Sequence, residues 1–187
     1  MRSFYIFLLL LIIFSNGCIQ EDHLEFNNIP INGNIDSLAN GLIKLGFKQT
    51  ESKDGDQAEF NGVFLEKNCD IFVFGTIQSQ TAYKVIVNLP GEVHDSLEYS
   101  YDKLQKLFSA KYGKGVSKYK QFRNAERFLF NEPKRARHLS KGDHTKFNTD
   151  SGIITLEVRD GYISITYLDK VNNEINIRES EKENTSI

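Results

Sequence analysis

Apolar residues fall along this chain in three rhythms, and each rhythm predicts a different element. Near the start, Phe4 to Phe14 is an unbroken apolar run, closed by Ser15, Asn16 and Gly17. A membrane-crossing helix needs about 20 such residues, so a run of roughly half that length behind Arg2 reads as the hydrophobic segment of an export signal. The second rhythm repeats every three to four residues. "IDSLANGLIKLGF" sets Ile35, Leu38, Ala39, Leu42 and Leu45 on one helical face, with Asn34 as N-cap and Gly46 as the stop. "DSLEYSYDKLQKLFSAKYG" does the same with Leu97, Tyr101, Leu104 and Phe108, opening on Asp95 and Glu98 in a capping-box spacing and closing on Gly113.

The third rhythm is strict alternation. "AEFNGVFLE", "DIFVFGTI" and "AYKVIVNLP" predict three antiparallel strands, the last with Tyr83, Val85, Val87 and Leu89 on one face. "VSKYKQF", "ERFLFN", "HTKFN" and "GIITLEVRDGYISITYL" predict three to five more. Asp160-Gly161 is the strongest hairpin signal and predicts a type I′ turn between Ile154, Leu156, Val158 and Ile163, Ile165, Tyr167. From Asp169 onward the chain is polar and charged, which predicts a short helix fraying into a tail.

These elements make an α+β fold in which two short helices pack on antiparallel sheet. Both helices end alike, in "KLGFK" and "KYGKG", which suggests a degenerate tandem of helix-plus-three-strand units. The organisation that follows is a signal peptide at 1–17, a lipidated tether at 18–28, a single α+β domain at 29–170 and a polar C-terminal tail at 171–187. A chain of this length without its signal suits one domain with a real core.

The segment around Gly17 and Cys18 resembles a bacterial lipoprotein signal, in which the cysteine left after cleavage receives lipid on its sulfur and amine. Ser15 stands where Leu is usual. The resemblance implies a protein held to a membrane through lipid on Cys18; the alternative is plain secretion with Cys18 as an N-terminal residue. Stable anchoring takes more than one acyl chain, at about 0.8 kcal/mol per buried CH2, and a lipoprotein N-terminus carries several. Glu21 and Asp22 resemble the short acidic signals that send some lipoproteins to the outer face of the outer membrane. With Cys18 so used, Cys69 has no intramolecular partner and reads as a small buried hydrophobe.

At the level of architecture the pattern resembles small exported binding proteins such as the outer-membrane-assembly lipoprotein fold and the β-lactamase-inhibitor-protein fold. Read together, "FNNIPINGNIDSLANGLIKLGF", "YKVIVNLP", "YDKLQKLFSAKYGK" and "GYISITYLDKVNNE" resemble a family of exported lipoproteins of gut-type Gram-negative bacteria. That family has no established activity. The resemblance implies a location and a fold class and carries no catalytic residue.

Charge alters this picture by its distribution. Residues 21–110 carry a net charge of −7, residues 111–146 of +8 and residues 147–187 of −4. The basic stretch interleaves aromatics with Lys120, Arg123 and Arg127 and adds Lys134, Arg135 and Arg137, a candidate patch for an anionic ligand because guanidinium binds carboxylate or phosphate bidentately. In an exported protein an anionic glycan, lipid A phosphates or an acidic face of an envelope protein is the expected partner and nucleic acid is not; the bland alternative is a solvated surface. His23, His94, His138 and His144 lack metal-ligand spacing, and no nucleophile elbow, phosphate loop or dinucleotide glycine pattern occurs, so no metal, cofactor or catalytic residue is implied. Paired carboxylates remain as the alternative, a hydrolase of envelope or dietary glycans, with Asp36, Glu59, Asp70 and Glu157 as the candidates. The favoured reading is a non-enzymatic, outer-membrane lipoprotein that binds a partner.

Overall fold

A computed structural model describes residues 22–50, 56–90, 97–119, 139 and 141–185. The first strands, β1 (Glu25–Phe26) and β2 (Ile29–Pro30), form a small hairpin, followed by helix α1 (Ile35–Lys44). Strands β3 (Lys48–Gln49), β4 (Gln57–Phe64), β5 (Lys67–Gly75) and β6 (Ala82–Pro90) come next, then helix α2 (Leu97–Tyr112). The remaining elements are β7 (Val116–Lys118), β8 (His144–Asn148), β9 (Gly152–Val158), β10 (Tyr162–Asp169) and helix α3 (Lys170–Thr185). Eight strands form one sheet in the order β3-β4-β5-β6-β10-β9-β8-β7, every pairing antiparallel.

This is an α+β fold, and the order exposes its internal repeat. Each half is a helix followed by a four-strand meander that begins with a very short edge strand, and the halves meet where β6 pairs with β10. The repeating unit is therefore a helix plus four strands rather than three, because the edge strands, of two and three residues, are too short to show an alternation. The shared "KLGFK" and "KYGKG" mark equivalent points: Gly46 and Gly113 end their helices at φ +92° and +81°, a conformation that favours glycine.

One face of the sheet is the core. Phe60, Ile71, Val87, Ile165, Leu156 and Thr145 form one buried cross-strand row, and Ala58, Val73, Val85, Tyr167, Ile154 and Phe147 form the next. Ile35, Leu38, Ala39 and Leu42 of α1 cover this face, as do Tyr101, Leu104 and Phe108 of α2. Between the helices the β1–β2 hairpin inserts Phe26, whose ring centroid lies 5.2 Å from those of Phe64 and Tyr167. Burying each such side chain contributes about 1.5–3 kcal/mol before conformational entropy is charged.

Local capping follows the sequence closely at α1, where Asn34 Oδ1 accepts from the N–H groups of Asp36 at 2.7 Å and Ser37 at 3.2 Å. Elsewhere the structure corrects three expectations. Tyr83 does not join the core: a bulge shifts the β5–β6 register between Phe74 and Gly75, Ala82 takes the buried place, and Tyr83 is half-buried. Leu45 leaves the α1 stripe and is 50% exposed, because the helix has already ended at Lys44. In the β9–β10 turn only Gly161 has positive φ (+81°), so Asp160-Gly161 is not a type I′ turn; Arg159 N–H instead closes on Tyr162 O across three residues, with the glycine in the left-handed position. Type I′ geometry falls on Leu65 and Glu66, at φ +51° and +65°, and on Asn27 and Asn28.

The largest departure is α3, which runs sixteen residues to Thr185 where a short fraying helix was expected. It docks through polar groups. Asp169 caps it by accepting Asn172 N–H at 2.9 Å, Asn172 Nδ2 donates to Ile31 O at 2.9 Å and Ala82 O at 2.7 Å, and Glu179 Oε2 accepts from Gln78 N–H at 2.8 Å and Ser79 N–H at 3.3 Å in the β5–β6 loop. Burial pushes the Glu179 carboxyl up, but the Gln78 and Ser79 amides and the hydroxyls of Ser79 and Thr76 more than offset this and hold it below the ordinary carboxylate range. Asp169 also receives Leu24 N–H at 2.8 Å and has His23 Nδ1 at 3.2 Å, which ties the start of the domain to the same end of the sheet.

Candidate functional site

The second face of the sheet is where the chain keeps its unabsorbed chemistry. Since side chains alternate along every strand, the register defines which residues share it. One row crosses all eight strands and is wholly polar: Lys48, Asn61, Asp70, Asn88, Ser164, Glu157, His144 and Lys118 are successive cross-strand partners. Beside it Glu59, Phe72, Ile86, Thr166, Thr155 and Lys146 form a second row with apolar members on β5 and β6. In the third row Lys84 holds its ammonium 4.0 Å from the centroid of Phe74 and 5.3 Å from that of Tyr83, a cation–π contact that keeps both rings beside a charge. Burial pulls the Lys84 amine below its ordinary value, and burial together with Asp56 pushes the Tyr83 hydroxyl up. Apart from Ser164, the side chains of these three rows are exposed or half-buried.

At the β3 edge this face dips into an open groove of about 550 Å³. Lys48, Asn61, Asn68 and Asp70 supply its polar lining, while Leu45, Val63 and Pro90 supply apolar walls. Two residues of its lining, Gly62 and Cys69, are direct cross-strand partners in the core register. Gly62 has no side chain, and the Phe47 ring fills from the core side the space that a Cβ would take. Cys69 lies in the floor, 4% exposed; burial first and Asp70 second push its thiol up to about 11, against a smaller opposing effect of a Phe64 backbone hydrogen bond. Such a thiol is protonated at neutral pH and a poor nucleophile. The Asn88 Oδ1, two residues from Pro90, is buried with no hydrogen-bond partner among the described residues.

The carboxylates suggested by the sequence separate. Asp36 sits exposed in the first turn of α1, away from this face, whereas Glu59, Asp70 and Glu157 share it. Asp70 and Glu157 stand three strand spacings apart, about 14 Å, beyond the separation that two-carboxylate glycoside hydrolysis uses. Glu59 and Asp70 are diagonal neighbours at about 7–8 Å, within that range, but only Asp70 lines the groove. A molecule seated there meets one carboxylate, with a lysine beside it.

Cys18 and the basic candidates Lys120, Arg123, Arg127, Lys134, Arg135 and Arg137 lie outside the described residues. The strands flanking the basic stretch are described: Lys118 pairs with His144, and Lys141 Nζ meets Asp160 Oδ2 at 2.5 Å, so both flanks stand at the β9–β10 turn end of the sheet. Sequence reading passed over Asn61, Asn68 and Asn88. A signal was present, since Asn and Asp are depleted in strands and three Asn and one Asp at alternate positions of β4, β5 and β6 mark a face that is not built for packing. Among the described residues no helix is long and apolar enough to cross a membrane. In comparisons with protein-family models, curated proteins and solved structures, no match to the chain was found.

Proposed function

We propose that the protein is an exported, lipid-anchored component of the cell envelope that acts as a binding module, engaging its partner through the open face of the eight-stranded sheet. The observation that supports a binding role is that face itself: a twisted sheet covered on one side by α1, α2 and the β1–β2 hairpin, with a polar row, an aromatic and aliphatic stripe and a groove on the other. Such a surface has the mixture of apolar area and spaced polar groups that recognition sites use. The anchoring part of the reading rests on the Phe4 to Phe14 run and the Gly17-Cys18 pair.

Intact-mass analysis of the full-length protein expressed in a Gram-negative host, beside a Cys18→Ala control, tests the anchor. The expected species starts at Cys18 and carries diacylglyceryl and acyl mass that the control lacks; a bare chain starting at Cys18 refutes lipidation. For the binding face, a photoreactive residue placed at Ile153, on the open face, is expected to cross-link an envelope component in cells, whereas one at Leu107, on the outer surface of α2, is not. The reverse pattern refutes the assignment of the face.

A further inference from the structure

We infer that the groove at the β3 edge binds a neutral glycan, seating one or two sugar rings; this rests on the binding-module reading above and names its ligand class. Three planar polar side chains, Asn61, Asn68 and Asp70, converge there by register alone. Asn61 faces Asp70, Asp70 faces Asn88, and Asn68 follows two residues before Asp70 on the same side of β5. Directly opposed residues have their Cβ atoms about 4.5–5.5 Å apart, so carboxamide and carboxylate groups are spaced to engage neighbouring hydroxyls of a sugar ring. An Asn or Asp head is flat and can serve two adjacent hydroxyls at once, which is the chemistry a vicinal diol presents.

Charge narrows the class. Lys48 and Asp70 are the charged groups in the groove lining, one of each sign, and the remaining polar lining is carboxamide. A site of zero net charge with several acceptors and donors does not select a polyanion or a polycation; it selects an uncharged molecule rich in hydroxyl or amide groups. Leu45 at 50% exposure and Val63 at 62% stand on the walls with Pro90, giving apolar surface for the C–H face of a pyranose or for an N-acetyl methyl. At about 550 Å³ the groove falls within the range of small-molecule sites.

The test uses the full-length protein in detergent with chitotriose, cellotriose and maltotriose as probes, read by saturation-transfer NMR and calorimetry. At least one trisaccharide is expected to bind. Its affinity is expected to fall at least tenfold in Asp70→Ala and in Asn68→Ala, both at exposed positions where the fold survives truncation, and to stay unchanged in Lys103→Ala, which is exposed on α2 on the covered side of the sheet. Absence of binding by all three sugars overturns the inference, as does binding that survives both groove substitutions, or binding of polygalacturonate in their place. The mass on Cys18 and the cross-links from Ile153 are independent of these sugars, so a failure here leaves the binding-module reading standing and a failure there is seen separately.

Discussion

Replacing Asp169 by Ala tests whether the start of the domain and its last helix are held by one buried carboxylate. Asp169 is fully buried, and each of its oxygens has a main-chain donor: Leu24 N–H on Oδ2 at 2.8 Å and Asn172 N–H on Oδ1 at 2.9 Å. Losing the helix N-cap costs about 0.5–2 kcal/mol. The Leu24 amide bond is charge-assisted and spans 145 residues of sequence; its loss leaves a buried N–H unpaired, at about 1.5–3 kcal/mol. His23, at 3.2 Å and half-buried, adds a smaller contribution. Together the substitution should cost about 2–5 kcal/mol, or a fall in Tm of roughly 4–20 °C for a domain of this size. Urea titration of the mature chain at pH 7 gives the free energy, and amide exchange at Leu24 and Asn172 reports whether those two sites open first. A loss below about 1 kcal/mol, or unchanged protection at Leu24, would refute the reasoning that Asp169 joins both ends of the chain to the sheet.

Glu179→Ala should cost about 1.5–3 kcal/mol at pH 7 by freeing the Gln78 and Ser79 amides. Because its native carboxyl is held below the ordinary value of 4.5, the stabilisation is complete above that value and is lost as pH falls through the lower native one, so the urea midpoints of wild type and variant should converge on acidification. Cys69, with its thiol raised to about 11, should react with Ellman's reagent only after unfolding; rapid labelling of native protein at pH 8 would contradict its burial. Leu65→Asn with Glu66→Gly should raise stability by about 1–2 kcal/mol, since both native residues occupy the left-handed region without glycine or asparagine to ease it. Gly62→Ala should cost about 1–3 kcal/mol by driving a Cβ into the Phe47 ring, measured by the same titration.

What the sequence discloses follows from where periodic burial does the structural work. The stripe from Ile35 to Leu42, the Tyr101, Leu104 and Phe108 face and the alternation of Ile163, Ile165 and Tyr167 are all legible, because each buries a repeating apolar side chain on one face of the sheet. Helix α3 is not, since it is held by Asn172 and Glu179 and has almost no apolar asymmetry for a pattern to find. Its one local sign is Asp169, an N-cap residue before a run of helix-tolerant residues, and that signal also serves as the end of a strand. Leu65-Glu66 is invisible for a related reason: tertiary pairing of β4 with β5 imposes positive φ on residues with no preference for it. The groove lay between these cases. Its Asn residues were in plain view within strand-like runs, but only the register of four neighbouring strands brings Lys48, Asn61, Asp70 and Asn88 into line.

The position of that groove follows from the same pairings that fix the N-terminus. Leu24 is tied to Asp169, at the end of the sheet where β5 ends in Gly75 and β6 begins at Ala82. Val63, Asn68 and Pro90 lie at the opposite end, eight residues along β6 and therefore about 27 Å away. Cys18 is only five residues from His23, a reach of at most about 18 Å, so lipid on Cys18 would hold the Asp169 end against the membrane with little slack. On the anchoring proposed above, the groove would lie at the end far from that membrane, as would Lys118 and His144, which flank the basic stretch. The groove and the two described flanks of the basic stretch thus share the end of the sheet opposite Asp169.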